Sequence, residues 1–234
     1  MIDSEKVNDF WEKRASVLGN VEFESIANLE ENHDDLLLKI KDETSKVFGW
    51  LPNIKNLKIL DLGAGVGQWA FRFAELEAKH VYAVERSSGL VKIGRNEISK
   101  RSLNNISFIE CAAEDFSTHE TFDLVFISGL FVYLNPEQYN KILNNISNFL
   151  SQDGLLLIRD GMSIQNEQYE INNQYSEHLN TMYSAVYRTR KEYISSIENN
   201  GFHLVHDENM FPEGHKLNKY KETRLHLFLF KKTI

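Results

Sequence analysis

Ile59-Leu60-Asp61-Leu62-Gly63-Ala64-Gly65-Val66-Gly67 ends an apolar run on three glycines at alternate positions. Glycines there let the chain bend sharply and bring its backbone close to a ligand. Residues 58–62 read as a strand, 68–77 as the helix after the bend, and 80–84 as a second strand. Working outward, strand-length apolar runs recur at 106–110, 124–128 and 155–159. Short apolar runs alternating with helical stretches imply parallel βαβ units.

The flanking signals agree. Asn135-Pro136-Glu137-Gln138 combines an N-cap residue, proline at the first helical position and Gln three residues after the cap, opening a helix to about residue 150. Thr189-Arg190-Lys191-Glu192 matches a second capping box, and Gly201 sits where that helix should end. Runs at 202–206 and 225–230 suit an antiparallel pair. The expected fold is therefore α/β: a Rossmann-like seven-stranded sheet, five parallel strands plus the C-terminal pair, flanked by helices. A dinucleotide-binding fold differs in having a parallel sixth strand. Residues 1–234 read as one domain, with a helical leader (1–55), a core (56–162), an insertion (163–187) and a C-terminal helix and strand pair (188–234). In the insertion, Tyr175, His178, Leu179, Met182, Tyr183 and Val186 follow the spacing of one helix face, which predicts a helical lid over the strand ends.

Composition narrows the function. A net charge of −8 disfavours a phosphate backbone as partner, so no nucleic acid is expected. The lone Cys111 forms no internal disulfide and suits a reducing compartment. The charged N-terminal stretch is unlike a signal peptide, and no apolar run is long enough to cross a membrane. A cytoplasmic protein is the default expectation. Monomer and homodimer are equally compatible.

The glycine spacing is G-x-G-x-G, where dinucleotide sites use G-x-G-x-x-G. Asp61 puts a carboxylate at the strand tip, which suits a cationic amino group and repels a pyrophosphate. An amino-acid-bearing nucleotide such as S-adenosyl-L-methionine therefore fits better than NAD. Glu85 follows the second strand, eighteen residues after Gly67, where an acidic side chain can accept hydrogen bonds from a ribose diol.

On these residues the chain resembles class I S-adenosylmethionine-dependent methyltransferases. The segment ILDLGAGVGQWAFRFAE is similar to their first motif and YAVERS to their second. Cys111-Ala112-Ala113-Glu114-Asp115-Phe116 is similar to the adenine-holding segment, and 122–128 to the fourth-strand motif. The resemblance implies S-adenosyl-L-methionine as cofactor and S-adenosyl-L-homocysteine as its product. It places Asp61, Gly63, Ala64 and Gly65 at the methionine and ribose end, with Glu85 and the adjacent Arg86 at the ribose. Ala113 and Glu114 fall at the adenine, and Ser128 faces the methionine group. Trp69 reads as core or as cofactor contact.

The acceptor is less legible. Gly129-Leu130-Phe131-Val132-Tyr133-Leu134 lacks the Asn/Asp-Pro-Pro-Tyr/Phe signature of enzymes that methylate bases or protein glutamine, and no metal-ligand pattern stands out. Candidate catalytic residues are His178, Tyr187 and Arg188, with Tyr183, Arg159 and Asp160 beside them. His178 also reads as a packed lid residue, and Tyr133 and Tyr187 as cavity wall. Arg188 and Arg190, at a capped helix start, read as an anion site or as a solvated charge cluster. The expected partner is a small-molecule acceptor methylated on oxygen or nitrogen: a sugar, nucleotide-sugar or phosphorylated metabolite, by a loose likeness to bacterial glycan and specialised-metabolite enzymes. The alternatives are a protein or RNA methyltransferase, a non-catalytic binding module of the same fold, and an NAD-dependent oxidoreductase.

Overall fold

The computed structural model describes residues 1–17, 23–26, 30, 32–176 and 181–233. Five strands run parallel in the centre: β1 (Lys58–Leu62), β2 (His80–Glu85), β3 (Ile106–Glu110), β4 (Phe122–Ser128) and β5 (Leu150–Ser163). An inserted hairpin, β6 (Tyr169–Ser176) and β7 (Thr181–Tyr187), follows β5 and forms its own two-stranded sheet. The last strands, β8 (Phe202–Asn209) and β9 (Thr223–Lys232), pair antiparallel, and β9 pairs antiparallel with β5. The seven-stranded order is β3-β2-β1-β4-β5-β9-β8. The chain thus turns one way from β1 to β2 and the other way to β4. Ligand crevices open above such a reversal, at the carboxyl ends of the strands.

The leader is helical: α1 (Ser4–Val17), α2 (Phe23–Ile26) and α3 (His33–Trp50). The core helices are α4 (Gln68–Glu75), α5 (Ser88–Arg101), α6 (Pro136–Phe149) and α7 (Arg190–Glu198). Helices α6 and α7 cover one sheet face, packing Ile142, Leu143, Ile146, Tyr193 and Ile197 against Leu60, Val125, Ile158 and Phe228. On the other face, Val47 of α3, Phe71 and Phe73 of α4 and Val91 of α5 meet Ile59, Val81, Phe126 and Leu157. Strands buried on both faces are nearly continuous in apolar residues, which is why the five runs stand out in the sequence. Both expected capping boxes form, Asn135 with Gln138 and Thr189 with Glu192. Such caps contribute roughly 1 kcal/mol each.

Two elements depart from the sequence pattern. Strand β5 starts directly after α6 and continues past residue 159, because β9 pairs with it from Leu155 to Ser163. The insertion is a hairpin where a helical lid was expected. Its strands carry four tyrosines, a residue that suits a pleated surface. Tyr183 and Tyr187, four apart, share a face in a strand as they would on a helix, while exposed Met182 takes the opposite face. The hairpin's base is pinned by a bridge between Ser163 and Thr189 and by the Ser163 amide donating to the Arg188 carbonyl at 2.9 Å. His178 lies outside the described residues.

Candidate functional site

A cavity of about 750 Å³ opens where the sheet order reverses, a size typical of small-ligand sites. The bend after β1 forms its floor. Gly63 has φ +79°, and a Cβ there would stand 3.0 Å from the Leu130 side chain. Gly67 has φ +89°, and a Cβ there would overlap the Phe108 ring at 2.4 Å. The amides of Gly63 and Ala64 both donate to the Val84 carbonyl at 2.9 Å, tying the bend to β2.

Two carboxylates face this bend. Asp61 is 1% exposed, and its Oδ2 has no hydrogen-bond partner among the described residues. Burial pushes its carboxyl up to about 7, the Ala70 backbone amide drawing it partly back. A buried carboxylate oxygen without a donor fits a cationic amino group and leaves a pyrophosphate no favourable place. Glu85 accepts from the Gly65 amide and the Ser87 amide, both at 2.8 Å. Burial raises its carboxyl despite those amides, and a carboxylate retains lone pairs for a ribose diol.

Farther along, Cys111, Ala113 and Glu114 line the wall next to exposed Arg86. Glu114 accepts from Gln138 at 2.7 Å and lies 4.0 Å from Arg86. Ser128 lines the cavity at the tip of β4, accepting from Arg159 Nη1 at 3.0 Å. The other side of that guanidinium pairs with buried Glu43 of α3. Trp69 is both core and wall, packed 5.2 Å from the Phe126 ring and bordering the cavity.

The hairpin roofs the opposite end. There the hydroxyls of Tyr133, Tyr183 and Tyr187 form a chain, 3.2 Å and then 3.4 Å apart, with Tyr169 packed against Tyr187. Enclosure raises all three hydroxyls, Tyr187 to about 12, so they stay protonated at neutral pH. Asp160 is fully buried within β5, its carboxyl pushed up to about 6 by burial against two backbone amides.

Of the residues singled out in the sequence, Asp61, Gly63, Ala64, Gly65, Glu85, Arg86, Ala113, Glu114, Ser128 and Tyr187 share this cavity. Arg188 is not among its lining residues. It is buried, with its two Nη groups donating to the Phe131 and Leu134 carbonyls at 2.7 and 2.8 Å. Arg190 pairs with Asp207 on β8, so the two arginines do not converge. Wall residues that no motif announced are Val7 and Asn8 of α1, Glu43 of α3, and Leu217, Lys219 and Tyr220 of the β8–β9 connection. Only tertiary return brings these together.

Residues 53–219 match the family model described as a methyltransferase domain. The chain belongs to that family. With its fold and its donor motifs, this makes it a class I S-adenosylmethionine-dependent methyltransferase. Phosphoethanolamine N-methyltransferase 1 of Triticum aestivum is 32% identical over 127 residues, 51% of this chain and 24% of the wheat protein. Phosphoethanolamine N-methyltransferase of Plasmodium falciparum is 26% identical over 55% of this chain and 48% of its own length. The chain thus spans from a quarter to a half of these relatives. Among solved structures, Haemonchus contortus phosphoethanolamine N-methyltransferase 1, in complex with phosphoethanolamine and S-adenosylhomocysteine, aligns with a TM-score of 0.76 at 20% identity. That alignment covers 98% of this chain and 49% of that one. No helix among the described residues is long and apolar enough to cross a membrane.

Proposed function

We propose that this enzyme methylates the nitrogen of a small amine held between the glycine bend and the hairpin roof. S-adenosylmethionine supplies, when bound, an electrophilic methyl group on its sulfonium. Asp61 receives the ammonium of the methionine part, while Gly63, Ala64, Gly65 and Ser128 border its chain. Glu85, beside Arg86, holds the ribose, and Ala113 and Glu114 hold the adenine. Closing these groups under one roof orients the acceptor and excludes water.

The observation that carries the choice of nitrogen is the protonated tyrosine chain at the acceptor end. Hydroxyls kept neutral orient a ligand and accept hydrogen bonds from an amine, but they do not take a proton from an alcohol at neutral pH. A neutral amine attacks with its own lone pair, the C–N bond forming as the S–C bond breaks, and the methylated ammonium keeps its proton until it is released. The amine named in the relatives' phosphoethanolamine activity supports this reading, and amino-sugars and phosphorylated amines belong to the same chemical class. The cavity also fits a small molecule better than a polymer.

Incubation with labelled donor and paired amines and alcohols (ethanolamine, phosphoethanolamine, amino-sugars and their hydroxy counterparts) tests it. Mass spectrometry should find the added methyl on the amines. Transfer confined to the alcohols would overturn the choice of nitrogen. Absence of S-adenosylhomocysteine binding would overturn the donor assignment.

A further inference from the structure

We infer that Arg188 and Asp160 are positioning residues that act on the acceptor through Tyr133. The inference rests on the acceptor lying against the tyrosine chain. Residues Phe131–Tyr133 form a single 3-10 turn after β4. Asp160 Oδ2 accepts from the Phe131 amide at 2.7 Å, and its Oδ1 accepts from the Gly161 amide at 2.8 Å. Arg188 donates to the carbonyls of Phe131 and Leu134, the residues flanking Val132 and Tyr133. Its guanidinium carbon is held 4.0 Å from the centroid of the Tyr139 ring. The turn is thus gripped at its first N–H and at two carbonyls by buried charged groups from two other parts of the fold.

This grip has a direction. Arg188 directly follows Tyr187, the last residue of β7, and β7 also carries Tyr183. The backbone that sets the two roof tyrosines therefore also sets the clamp on the turn bearing the third. Tyr133 reaches Tyr183 at 3.2 Å, and its ring meets Trp11 edge-on at 5.5 Å. With the fork in place the three hydroxyls stay in register. A lysine at 188 keeps the charge but offers one nitrogen on a shorter stem in place of a planar fork whose two Nη groups each reach a different carbonyl. The donor residues Asp61, Gly65 and Glu85 make no hydrogen bond to the clamp, so donor binding should not sense its loss.

The test compares Arg188→Lys, Tyr133→Phe and the double variant in the full chain. Hydrogen exchange read by mass spectrometry over residues 130–135 needs no acceptor. Arg188→Lys should speed exchange there at least about tenfold, as loss of a charged hydrogen bond implies, with S-adenosylhomocysteine affinity within about twofold of the parent. On whichever amine turns over, kcat should fall about tenfold in Arg188→Lys with a smaller change in KM. That loss should vanish when the substitution is made in the Tyr133→Phe background. Unchanged exchange, or a loss that persists in that background, overturns the inference. If Arg188→Lys does not fold, Asp160→Asn takes its place with the same expectations. If neither folds while Tyr133→Phe does, the pair maintains the fold and the inference falls. Lack of turnover by the parent on every amine counts against the proposed substrate class, and the exchange result still decides the clamp.

Discussion

Replacing Asp61 with Asn should make the donor-free enzyme more stable at alkaline pH while spoiling its affinity for the donor product. The folded carboxyl titrates at about 7 against an ordinary 3.8. At roughly 1.36 kcal/mol per pH unit this gap is worth about 4 kcal/mol. Because the folded value is the higher one, the group's stabilising contribution is complete below pH 4, is lost between pH 4 and 7, and is gone above pH 7. Asn carries no charge to desolvate, yet leaves one amide group imperfectly paired, at a cost of about 1–3 kcal/mol. A net gain of roughly 1–3 kcal/mol above pH 7.5 remains, which in a chain of this size raises the melting temperature by about 2–10 °C. With Asp61 receiving the donor's ammonium as proposed, the same change removes a charge-assisted contact, so S-adenosylhomocysteine should bind roughly 10–100-fold more weakly. In the parent, affinity should fall about tenfold per pH unit below 7, since the carboxyl must ionise to receive the ligand. Thermal melts of both proteins at pH 5 and pH 8, with calorimetric titration, provide the readout. A variant that melts below the parent at pH 8, or binds the product equally well, refutes the reasoning.

With Glu85 holding the ribose as proposed, Glu85→Gln should lower S-adenosylhomocysteine affinity about 10–100-fold by calorimetry, because an amide replaces an all-acceptor carboxylate. Gly67→Ala should destabilise the fold by about 2–5 kcal/mol in denaturant titrations, combining the left-handed φ with overlap on the Phe108 ring. Glu43→Gln leaves the buried Arg159 guanidinium without its counter-charge and should cost about 3–5 kcal/mol in the same assay. A change below about 1 kcal/mol would mean that water already reaches the pair.

The meeting of Asp61, Glu85 and Glu114 in one cavity was legible in the sequence because these residues sit in contiguous segments. The glycine bend, Glu85 and the 111–116 stretch each sit at the end of a strand whose apolar run is plain, and the parallel order then brings them together. The capping residues Asn135 and Thr189 were equally local. The roof was not legible, since the spacing of Tyr183 and Tyr187 suits one face of a helix and one face of a strand alike. Arg188 misled for a related reason. A cation beside a helix start is compatible with an anion site, and only the tertiary path of Phe131–Leu134 reveals the carbonyls that take up its donors. Glu43 and Tyr220 reach the cavity from opposite halves of the chain, and no local pattern records such a meeting.

The hairpin's two ends meet at the Ser163–Thr189 bridge, so everything between them is a detour that the sheet can close without. Exchanging a segment whose ends are already joined changes little of the chain's closure entropy. A lineage could therefore trade one roof for another in a single event, with the glycine bend and the carboxylates around it inherited intact.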